Sequence, residues 1–282
     1  MKTTSEITEA MTVKAIDVHG HYGTFNSIGG VLHLQGNLNV VNPIYNNCMS
    51  ADAATVARRA LDAGIEWTIV SPLLGLMPRG KASAVEGNKE AFDLVPRTPG
   101  LRQWVIVNPL QPETYAQAEE MLKASWCVGI KIHPEEHWYP IREHGKALFE
   151  FAARHRAVVL THSGGVNSVP EEFVPFANAL PELRLILAHL GHMDVGDITH
   201  QVRAIQASRH GNLFVDTSSS KSILPGLVEW AVREIGADRI LFGSDTCLYF
   251  PAMYRARIDH AEISLEDRKK ILSGNARRLL SL

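Results

Sequence analysis

Five histidines and one aspartate are spaced as metal-site chemistry would need them. Asp17-Val18-His19-Gly20-His21-Tyr22 stands near one end of the chain and Phe242-Gly243-Ser244-Asp245 near the other. Between them, single histidines close apolar, β-rich runs: Lys131-Ile132-His133, Leu160-Thr161-His162 and Leu187-Ala188-His189. Imidazole nitrogens and carboxylate oxygens are the ligands of first-row divalent ions. Two histidines two residues apart on a strand share a face, so both can reach one ion. Taken alone a His-x-His pair is a weak signal, because surface or buried structural histidines are commoner. It gains weight when other strands deliver matching side chains at the same height. The chemistry such a set serves is activation of water by a bound cation.

The elements that must position these residues alternate regularly. Strands are expected at 14–19, 66–71, 103–108, 128–133, 157–162, 184–189, 212–216 and 239–244. Helices are expected at 51–63, 84–94, 113–125, 141–155, 170–180, 196–208, 225–235 and 264–281. Pro112-Glu113 suits a first helical turn, Gly64 a helix end, and Ser264 with Asp267 a capping box. Eightfold strand–helix alternation over 282 residues reads as one (β/α)8 TIM barrel spanning 1–282. A doubly wound sheet would call for a Gly-rich phosphate loop after the first strand, where His19-Gly20-His21 stands instead. On the first strand, Ile16 and Val18 are expected to face the helices, leaving Asp17, His19 and His21 towards the barrel axis. An irregular insertion at 24–50 comes after it, marked by Gly29-Gly30, several Asn and Pro43. Loops of this length are uncommon unless functional or mobile. In a barrel this one lies at the C-terminal mouth, where it would cover substrate or serve packing.

In this order the motifs resemble the amidohydrolase superfamily, in its amidohydrolase-related branch of lactone hydrolases and metal-dependent decarboxylases. The resemblance runs from Asp17-Val18-His19-Gly20-His21 through Gly129-Ile130-Lys131-Ile132-His133-Pro134, Thr161-His162, Ala188-His189 and Gly243-Ser244-Asp245. It ends in Gly274-Asn275-Ala276-Arg277-Arg278-Leu279. It is specific for the family and says little about substrate. It implies that His19, His21, His162 and Asp245 ligate one divalent ion, with His189 close by to polarise the reacting carbonyl. Such a set suits Zn²⁺, with Mn²⁺ the alternative. Asp245 could also take the proton from the attacking water.

The resemblance implies hydrolysis of a lactone, ester or amide, with non-oxidative decarboxylation of an aromatic or enol-type acid as the alternative. Hydrolysis leads because both histidines of the pair are kept. Some lactonases of this branch work without metal, the same histidines binding substrate. A non-catalytic barrel is disfavoured by retention of every ligand. Lys131 shares a face with His133, where binuclear relatives carry a carboxylated lysine. It reads otherwise as a buried lysine, with Asp17 a conceivable partner, or as a substrate contact. His133 and Tyr249 are further substrate-binding candidates. Trp138 with Tyr139 and Lys221 are weaker ones, each more often a packing or surface residue. Cys247 reads as packing.

Lys and Arg total 28 against 30 Asp and Glu, so no basic excess exists to hold nucleic acid. No apolar run is long enough for a bilayer. The start, Met1-Lys2-Thr3-Thr4-Ser5-Glu6, lacks the apolar stretch of a signal peptide. Three well-separated cysteines give no disulfide framework. The expected setting is cytoplasmic and the expected partner a small molecule; self-association as a homo-oligomer is left open.

Overall fold

The computed structural model describes residues 12–26, 43–194 and 196–282. Eight parallel strands succeed one another in chain order: β1 (Ala15–Tyr22), β2 (Ile65–Pro72), β3 (Leu101–Ile106), β4 (Cys127–Ile132), β5 (Val158–Thr161), β6 (Arg184–Leu187), β7 (Leu213–Asp216) and β8 (Ile240–Leu241). The last meets the first: Val18 N donates to Phe242 O at 2.9 Å and Asp245 N to His19 O at 2.8 Å. This is the expected (β/α)8 barrel. Among the described residues no helix is long and apolar enough to cross a membrane.

Two layers of apolar side chains account for the closure. Ala15, Ile65, Val105, Ile130, Val159, Leu185, Val215 and Ile240 pack outward against helix residues such as Leu148, Ala204 and Val228. Ile16, Val18, Trp104, Leu160, Ile186 and Leu241 form a second cluster, which Ala276, Leu279 and Leu280 of the last helix join. Ile16 and Val18 therefore do not face the helices as expected. Ala15 takes the helix side, so Ile16 and Val18 alternate to the other, and next to them the strand bulges: β1 pairs Asp17 with Thr68 but Gly20 with Val70, three residues against two. An extra residue re-aims the side chains beyond it, and His19 and His21 turn towards β8. Gly20 is required there, since a Cβ would stand 2.5 Å from Thr68 Cγ2. Trp104, fully buried, steadies the bulge by donating its indole N–H to Val18 O at 2.8 Å.

Most helices fall where periodicity placed them, among them Ala53–Asp62, Ala84–Leu94, Glu113–Met121 and Ile141–Arg154. Ser264 caps as expected, its hydroxyl accepting from Asp267 N at 3.0 Å. The span 170–180 divides into a 3₁₀ turn, Pro170–Phe173, and a short helix, Val174–Ala179. The span 264–281 contains a π-helical stretch at Lys270–Gly274. Sequence periodicity missed helix Pro251–Asp259, whose buried face mixes Tyr254 and Ile258 with the ion pair Arg255–Asp259. Of the insertion 24–50, residues 27–42 lie outside the described residues. Its base is clamped where Gly23 N donates to Ala51 O at 2.7 Å.

Candidate active site

His19 and His21 lie in the C-terminal half of β1, and the other candidate ligands follow strands that stop earlier than expected. β5 ends at Thr161, β6 at Leu187 and β8 at Leu241, so His162, His189 and Asp245 sit on the connecting turns. His189 has φ 71° and Asp245 φ 57°. A side chain in that left-handed region costs free energy and commonly marks a functional position.

His19, His21 and Asp245 come together. The Oδ1 of Asp245 is 3.3 Å from His21 Nε2 and 3.6 Å from His19 Nε2. One ligand atom from each of the three lies within 4.8 Å of the others. Both imidazoles are braced from behind. His19 Nδ1 lies 2.9 Å from Asp216 Oδ2, and His21 Nδ1 lies 2.9 Å from the Ser71 carbonyl. Those acceptors place the ring proton on Nδ1 and leave Nε2 bare towards the centre, the arrangement of metal-binding histidines. With two bare imidazole nitrogens and an ionised carboxylate converging, the donor set fits a divalent cation.

The other sequence candidates surround this core. His162 does not join the three-residue group; its Nδ1 is 3.1 Å from His189 Nε2, and its ring stacks on His133 at 4.5 Å. His189 Nδ1 lies 2.7 Å from Ser218 Oγ, so both nitrogens of His189 have partners. His133 Nδ1 accepts from Glu136 N at 3.2 Å, which leaves Nε2–H as a donor. Tyr249 and Lys221 are exposed on the turns after β8 and β7. Trp138 is exposed and packs near Gly80, whereas Tyr139 is buried in the helix-facing core. Cys247 is buried, its thiol 3.1 Å from Met49 O.

Lys131 is wholly buried, and its Nζ lies 2.9 Å from His19 Nε2. Asp17 is not its partner. The Asp17 carboxylate instead accepts from Ser244 N at 3.0 Å and from the Ser244 hydroxyl, tying β1 to β8. Lys131 thus occupies the lone pair that an ion would use. A hydrogen bond to a charged group contributes about 1.5–3 kcal/mol, and each 1.4 kcal/mol is about tenfold in affinity. Lys131→Met should therefore tighten metal binding by about ten- to hundredfold, measured by competition with a chromogenic chelator. Unchanged or weaker binding would mean that Lys131 supports the ion.

Electrostatics derive from burial. Desolvation holds His133, His162 and His189 well below the usual imidazole pKa, so each is neutral near pH 7. Burial also lowers the Lys131 ammonium to about 8 and raises Asp17 to about 7. Burial alone would raise Asp245, but the nearby His21, His19 and Lys131 keep it below the ordinary carboxylate range.

Sequence reasoning missed Asp216, Ser218 and His192. Asp216 closes an expected strand as Asp245 does, so its position was visible while its role was not. His192 stands three residues after His189, and its ring lies 5.7 Å from those of both His162 and His189.

No curated protein matches the sequence. Solved structures of the same fold include a 5-carboxyvanillate decarboxylase from Sphingomonas paucimobilis, 12% identical, with a TM-score of 0.70 over 96% of this chain and 99% of that one. A dihydroxybenzoic acid decarboxylase from Polaromonas sp. JS666, holding manganese and an inhibitor, is 18% identical with a TM-score of 0.69 over 95% and 97%. A candidate 2-pyrone-4,6-dicarboxylic acid hydrolase from Pseudomonas putida is 16% identical with a TM-score of 0.64 over 95% and 98%. At these identities the likeness shows the fold alone. The sequence itself matches the family model described as amidohydrolase over residues 86–282, and the chain belongs to the amidohydrolase family.

Proposed function

We propose that this protein is a metal-dependent hydrolase of a small organic substrate, a lactone, ester or amide. The observation that carries the reading is Asp245, whose one carboxylate oxygen stands 3.3 and 3.6 Å from the two bare imidazole nitrogens of β1. A bound divalent ion, zinc or manganese, supplies Lewis acidity towards water and carbonyl oxygen. His19, His21 and Asp245 would hold it, with His162 the candidate fourth ligand. Asp245, kept ionised by its neighbours, accepts the proton of the attacking water and returns it to the leaving group. His133 Nε2–H and the Lys131 ammonium would meet negative charge developing on the substrate.

Hydrolysis is preferred on chemical grounds. It needs a base beside the ion, whereas decarboxylation needs an acid to protonate carbon. A carboxyl held below its ordinary range is ionised near neutrality, so Asp245 starts the cycle free to accept a proton and carries none to give to carbon. Decarboxylation of an aromatic or enol-type acid is the second reading, favoured by the decarboxylases among the structural neighbours. A panel of lactones, amides and hydroxybenzoates in ¹⁸O-labelled water separates the two. Hydrolysis predicts ¹⁸O in a new carboxylate. Release of CO₂ without label in the product would replace hydrolysis by the second reading.

A further inference from the structure

Behind the site, one buried carboxylate organises more than the histidine it touches. Asp216 Oδ1 accepts the backbone N–H of His189 and that of Ser218, each at 2.9 Å. Two backbone donors on one oxygen favour the ionised, acceptor-only form. The Ser218 hydroxyl is hydrogen-bonded to the same Oδ1. It has one proton to give, and a carboxylate oxygen has none, so that proton points at Asp216. What remains on Ser218 Oγ is acceptor capacity. His189 Nδ1, 2.7 Å away, must then donate to it. A neutral imidazole with its proton on Nδ1 has a bare Nε2, and that Nε2 lies 3.1 Å from His162 Nδ1. His162 must donate in turn and is itself left bare at Nε2.

From this donor count we infer that Ser218 is a positioning residue: it transmits the polarity of Asp216 through His189 to His162, fixing both rings as Nδ1–H tautomers with basic Nε2 atoms. The same carboxylate fixes His19 directly through Oδ2. One aspartate thus sets the ring protons on β1 and on the turns after β5 and β6. Among the described residues, the His189 contact is the one ring hydrogen bond of His162 that favours a tautomer. Ser218 Oγ also lies 3.0 Å from His19 Nδ1, a second ring proton it can only accept, and its role does not depend on whether the reaction is hydrolysis or decarboxylation.

Long-range ¹H–¹⁵N correlation spectra of the full-length enzyme, as purified and after chelator treatment, read the tautomers directly. The wild-type enzyme should show His189 and His162 protonated at Nδ1 in the chelator-treated sample. Ser218→Ala should move His189, and His162 with it, towards the Nε2–H form that is commoner in free imidazole. Ser218→Thr, which restores the hydroxyl, should return both. Wild-type rings protonated at Nε2 overturn the inference, as does a folded Ser218→Ala variant with both tautomers unchanged. Should Ser218→Ala not fold, the wild-type spectrum alone still decides.

Discussion

Asp245→Asn is expected to lower kcat by at least about 10²-fold while much of the bound metal is kept. The size is the lower end for a lost general acid–base group. The substitution suits the position for two reasons. Asn retains an oxygen where Asp245 meets His19 and His21, so coordination is weakened and not abolished. Asn also tolerates the left-handed backbone that Asp245 adopts at φ 57°, so the turn after β8 should keep its shape. What disappears is the capacity to accept a proton. Steady-state kinetics on metal-loaded enzyme, with metal content measured on the same sample, checks it. Turnover at nearly the original rate would leave Asp245 as a ligand only.

Replacing His19 and His21 together by Ala should remove the metal and all metal-dependent turnover. It should leave a folded but weakened barrel. The two rings are buried, with relative exposures of 1% and 4%, so they are not rim groups that can be trimmed without consequence. Losing His19 takes from Asp216 one of its donors and from Lys131 its acceptor. A buried polar group left unpaired costs about 1–3 kcal/mol. For a chain of this size each kcal/mol shifts Tm by roughly 2–4 °C, so a fall of several degrees is expected in thermal circular dichroism. The outer core of Ile, Leu, Val and Phe is untouched by the change and should preserve the fold. Stoichiometric metal in a folded double variant would contradict the ligand assignment.

The barrel was legible because its signals are local and repeated. Short apolar runs alternate with amphipathic stretches, and backbone geometry converts that rhythm into eight parallel strands. Convergence of His19, His21 and Asp245 was legible for the same reason, since each ends a recognisable strand. Contacts that depend on non-local geometry were not. The bulge at Asp17–Gly20 re-aims His19 and His21, and it needs β2 as a partner to exist. Asp216 and Ser218 acquire their roles only because β7 lies between β6 and β8, within reach of His189 and of His19 on β1. Lys131 was singled out, but its contact with His19 Nε2 spans 112 positions of sequence and no motif records it.

The central claim is a cation held by the β1 pair and Asp245. Anomalous diffraction from crystals of the wild-type protein grown with zinc, and separately with manganese, tests it most directly. One peak per chain is predicted, at about 2.0–2.2 Å from His19 Nε2, His21 Nε2 and an Asp245 oxygen, with Lys131 Nζ withdrawn from His19. No peak at these three atoms at saturating metal, or a peak elsewhere with Lys131 still on His19, would contradict it.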